Sequence, residues 1–78
     1  MREKTLTLVV TFHTTTAAMA MESACAAAGL PGRLIPVPRE ITAGCGMAWK
    51  AKPEDRSALE AFVTEKAIKV AGWYELML

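Results

Sequence analysis

At 78 residues the chain is one domain, near the size at which a single hydrophobic core only just outweighs chain entropy. With 53% apolar and 22% charged residues it is globular, and a net charge of +1 gives no electrostatic case for nucleic acid or an anionic membrane as partner. No apolar run approaches a membrane span, and the short Thr-broken stretch after the charged start lacks a signal-peptide cleavage site, so a cytoplasmic protein is expected.

Leu6 to Phe12 alternates, with Leu6, Leu8, Val10 and Phe12 on one face and Thr7, Val9 and Thr11 on the other. Period two with β-branched residues predicts a strand buried on its first face. The second face is semi-polar, suited to solvent or to pairing with another chain. His13 to Thr16 ends the strand, and a threonine there is a good helix N-cap. Ala17 to Ala28 follows as a helix whose core face is Ala18, Met21, Cys25 and Ala28, stopped by Gly29 at C′ and by Leu30-Pro31.

Arg33 to Val37 reads as a short strand, and Pro36, lacking a ladder donor, places it at a sheet edge. Met47 to Ala51 alternates as a third strand. Lys52-Pro53-Glu54-Asp55 opens a second helix, with proline at the first helical position and two acids in the first turn, where the helix dipole favours them. Leu59, Phe62 and Val63 form its stripe, with the Lys66 stem at the edge and an end near Ala67. Gly72 is a turn, and Trp73 to Leu78 a last strand. The order β-α-β-β-α-β predicts a single α+β domain over 1–78, a ferredoxin-like sandwich. Four antiparallel strands carry two helices on one face, with strands one and three central.

Two cysteines and one histidine fit neither a secreted disulfide framework nor a zinc spacing, so two free thiols with no metal and no cofactor are expected. Cys25 lies on the alanine helix and reads as core. Cys45 is different. It stands between Gly44 and Gly46 in PREITAGCGMAW, a tight loop where bare backbone lets a ligand or another chain come close. In the expected topology the first strand ends at the rim where the third begins. His13, Thr14, Thr15, Thr16 and Cys45 then gather at one end of the sheet. The first helix N-terminus, the loop amides and Arg39 would favour a thiolate, and His13 would accept its proton. The structural alternatives are a turn cysteine, a strand-end histidine and a plain threonine cap.

Read together, TTTAAMAME, GRLIPVPREI and AGCGMAWKA resemble a small bacterial family of domains of unknown function described as sulfur/selenium (Se/S) carrier protein-like. The resemblance runs from Val10 to Leu76. It implies a carrier whose functional residue is Cys45, holding a persulfide or selenosulfide loaded by a cysteine desulfurase-like donor and passed to an acceptor protein. The chain lacks the Cys-Pro helix start of the sulfur carriers of tRNA thiolation. A carrier or binding protein is expected rather than a free-standing enzyme. The alternative is a ferredoxin-like binding or regulatory module, a possible homodimer, acting through the free sheet face of Thr7, Val9 and Thr11 with Trp73. A thiol-disulfide enzyme would need a resolving cysteine beside Cys45, and Cys25 is not so placed.

Overall fold

The computed structural model describes residues 4–41 and 45–78. Along the chain come β1 (Leu6–Thr11), α1 (Thr15–Ala28), β2 (Arg33–Pro36), β3 (Met47–Ala51), a 3-10 turn (Pro53–Asp55), α2 (Arg56–Glu65) and β4 (Gly72–Met77). The strands form one antiparallel sheet in the order β2-β3-β1-β4. This is the α+β, ferredoxin-like arrangement expected from the sequence. The proline strand is at an edge, and strands one and three are central.

Each helix boundary has a local cause. Thr14 is extended, and its side-chain oxygen accepts the Ala17 N–H at 3.1 Å, satisfying one of the donors that a helix start leaves free. At the other end Gly29 adopts φ 73°, and the N–H groups of Gly29 and Leu30 both donate to the Cys25 carbonyl. Ala18, Met21 and Cys25 are buried, as their spacing predicts. Ala28 is exposed instead, because the chain turns away at Gly29 and Leu30 takes up the packing against the core. The second helix begins as the 3-10 turn at Pro53 and becomes α-helical only at Arg56. Gly72, expected as a turn, is the first residue of β4, since it pairs with Thr11 across the ladder. Val37 falls just outside β2, although its N–H still reaches the Gly46 carbonyl at 3.0 Å.

Both helices pack on one face of the sheet. Leu8, Val10, Phe12, Trp49 and Ala51 meet Ala18, Met21 and Cys25 from α1 and Leu59 and Val63 from α2. Arg56 also ties α2 to β4. It pairs with Glu60 at 3.0 Å and Glu75 at 3.5 Å, and lies 5.7 Å from the centre of the Trp73 ring. The Trp49 indole reaches over β2 and donates from Nε1 to the Pro31 carbonyl at 3.3 Å. Gly32 permits that approach. At φ 121°, a methyl group there would meet the indole and would stand 2.6 Å from the Lys50 carbonyl oxygen.

The opposite sheet face is not the free surface that its alternation suggested. Thr7, Val9 and Thr11 are all buried, Val9 completely, and Trp73, expected with them, pairs with Val10 and packs against the helix-side core instead. Ile41, brought back by the turn in which its N–H meets the Pro38 carbonyl at 3.0 Å, joins Val9 and Ala48 in a second apolar cluster. Ile35, Val37, Leu76 and Leu78 pack around it. Apolar side chains from distant parts of the chain therefore remove the middle of this face from water. No described helix is long and apolar enough to cross a membrane.

Candidate functional site

The register Thr11↔Ala48 and Pro36↔Met47 brings the end of β1, the end of β2 and the start of β3 to one rim. His13 and the α1 start leave that rim, Arg39 follows β2 there, and Cys45 arrives there just ahead of β3. At the level of the backbone, the ends of these elements therefore meet at one rim. His13, Thr14, Thr15, Thr16 and Arg39 are all exposed. Gly44 lies outside the described residues.

Cys45 is a free thiol, half-buried, with its sulfur packed against the helix-side core. Among the described residues, the hydrogen-bond partners of that sulfur both belong to the backbone of Met47. The Met47 N–H donates to Sγ at 3.4 Å, and the thiol in turn reaches the Met47 carbonyl at 3.4 Å. Gly46 makes this local ring possible. It sits at φ 78°, in the left-handed region, with open space where a side chain would be. The GCG spacing therefore has a specific consequence: the second glycine folds the chain so that the sulfur caps the first amide of β3. Neither His13 nor Arg39 is a hydrogen-bond partner of the sulfur.

Cys25 stands apart. It is fully buried on α1, and burial pushes its thiol up from the ordinary value of 9.0. The two sulfurs thus differ in access and environment. No group of three or more metal-ligating His, Cys, Asp or Glu side chains occurs among the described residues.

Two features of the structure were not read from the sequence. One is Ile41, whose apolar character inside a polar, proline-rich approach was the available signal. The other is a cleft at the far rim of the sheet, lined by Arg33, Lys50 and Lys52. Its cations are separated in sequence and meet only through strand register.

A family model described as "Putative Se/S carrier protein-like" matches residues 7–75, nearly the whole fold and both cysteines. No curated protein and no solved structure matches the chain.

Proposed function

Since the chain belongs to the Se/S carrier protein-like family, we propose that it carries sulfur or selenium on Cys45 as a persulfide or selenosulfide. The observation that supports this is the placement of the sulfur. Cys45 is a free, half-exposed thiol at the rim, hydrogen-bonded to the backbone of Met47. A carrier needs such a group: reachable by two different proteins in turn, and fixed in direction by atoms that take no part in the chemistry.

Loading is an exchange at sulfur. The Cys45 thiolate attacks the terminal sulfur of a persulfide on a cysteine desulfurase-like donor. A new S–S bond forms on Cys45, the donor's S–S bond breaks, and the donor leaves as its thiolate. No net oxidant is consumed, because the transferred sulfur keeps its oxidation state. Unloading to an acceptor protein repeats the step in the other direction. His13, Thr14 to Thr16 and Arg39, all exposed, would form the surroundings of that exchange, where donor and acceptor would dock and where His13 would take up the thiol proton.

Incubation with a cysteine desulfurase and cysteine, followed by intact mass, tests the proposal. Wild type and Cys25→Ala should each gain the mass of one sulfur atom, removable by a thiol reductant, while Cys45→Ala gains none. Absence of the added sulfur on wild type, or equal loading of Cys45→Ala, overturns it.

A further inference from the structure

At the end of the sheet away from Cys45 the chain forms a cleft of ≈ 580 Å³. Arg33, Lys50 and Lys52 line it together with Thr5 and Thr7, and Glu54 and Asp55 line it as well. The register sets Arg33 directly opposite Lys50. Like charges directly opposite each other across a ladder destabilise a sheet, and no described carboxylate forms an ion pair with either of these. The ion pairs among the described residues both belong to Arg56, so Arg33, Lys50 and Lys52 have no acid within pairing distance there. Glu54 and Asp55 share the cleft without forming an ion pair with any of the three. The wall behind is fixed, because the Trp49 indole holds the Pro31 carbonyl and packs against Gly32.

We propose that this cleft binds a small phosphorylated molecule, with its phosphate held between Arg33 and Lys50. A guanidinium fork with adjacent ammonium groups matches a doubly charged tetrahedral oxyanion, and a dianion would cancel the repulsion that the register imposes. Glu54 and Asp55 would accept hydrogen bonds from hydroxyl or amine groups on the rest of the ligand, and they disfavour an extended polyanion such as nucleic acid. The volume falls within the range of small-molecule sites, roughly 300–1,000 Å³. The cleft is remote from the thiol: at roughly 3.3 Å per residue, β3 alone separates the two rims by about 13 Å. The proposal is therefore independent of the carrier reading.

The test is a titration with inorganic phosphate at constant ionic strength, balanced with chloride and read by backbone amide shifts and melting temperature. Saturable shifts centred on Gly32, Arg33, Lys50 and Lys52, with a saturable rise in Tm, are expected. Arg33→Gln and Lys50→Gln should each weaken phosphate binding by roughly tenfold or more, about 1.4 kcal/mol. Lys69→Gln and Cys45→Ala should bind as wild type, the latter even if it cannot carry sulfur. Shifts that never saturate or scatter over all basic residues, or a Lys50→Gln variant that binds phosphate as wild type does, overturn the proposal. The wild-type titration decides the matter by itself if a variant fails to fold.

Discussion

Cys25 and Cys45 carry the same functional group into opposite surroundings. On α1 the Cys25 thiolate would lose its water and gain nothing in return, so the neutral thiol is favoured and its pKa is raised. Cys45 is half-buried at the rim of a loop. In the native protein at neutral pH, iodoacetamide should therefore modify Cys45 first, with Cys25 reacting only once denaturant exposes it. Site-by-site mass spectrometry measures this, and equal native rates would remove the distinction on which the carrier proposal depends. The raised pKa also has a thermodynamic sign. Below the ordinary thiol value of 9.0 both folded and unfolded chains hold the proton, and the contribution of Cys25 is intact. As pH rises above that value the unfolded chain ionises first, and stability is lost. Cys25→Ala should remove that part of the alkaline decline in stability.

The helices show how much of an element the sequence can announce. For α1 the announcement is complete: a threonine cap, an alanine-rich body and a glycine at C′ each agree with the others. For α2 the end falls where expected, just before Ala67, with Lys66 as the C-cap, but the conformation that makes it is silent. Ala67 adopts φ 56°, the left-handed conformation that L-residues avoid, while Ile68 donates to the Val63 carbonyl at 2.9 Å to close the turn. Nothing in Lys66-Ala67-Ile68 marks the left-handed conformation itself, because alanine is a strong helix former. Ala67→Gly should accordingly raise stability by about 0.5–1 kcal/mol, against the usual direction of a glycine substitution near a helix. Urea unfolding at unchanged m-value checks it, and a loss of stability would mean that the denatured chain's extra freedom outweighs the relieved strain. The same limit explains the outer sheet face. Alternation in β1 separates two faces correctly, but it cannot say that Ile41 returns to cover Val9. It likewise leaves the Arg33–Lys50 juxtaposition unseen, since facing pairs across strands follow from register. The glycine-flanked cysteine needed no such knowledge, and was legible directly.

At the scale of the whole molecule, the second apolar cluster links the sheet to the segment that leads into Cys45. The Val37 N–H holds the Gly46 carbonyl, so the chain entering this segment is pinned to the residue just after the thiol. Ile41, only 8% exposed, is the other fixed point, seated against Val9 and Ala48 on the sheet. Removing its side chain deletes packing on the outer face while leaving the helix-side core, with Cys25 inside it, untouched. Ile41→Ala should cost about 2 kcal/mol, the low end for a buried isoleucine because the cluster is small and open at its margin. Its effect on labelling separates an anchor from a mere contributor to stability. An anchor confines the loop, so its loss should quicken alkylation of Cys45 while Cys25 stays protected. Were the variant simply nearer to global unfolding, both thiols would become reactive together, in proportion to the unfolded fraction. The decisive measurement is the ratio of the two rates in Ile41→Ala and wild type, taken well below the unfolding midpoint. A ratio that rises places control of the thiol's access on the outer face of the sheet, whereas an unchanged ratio confines Ile41 to packing.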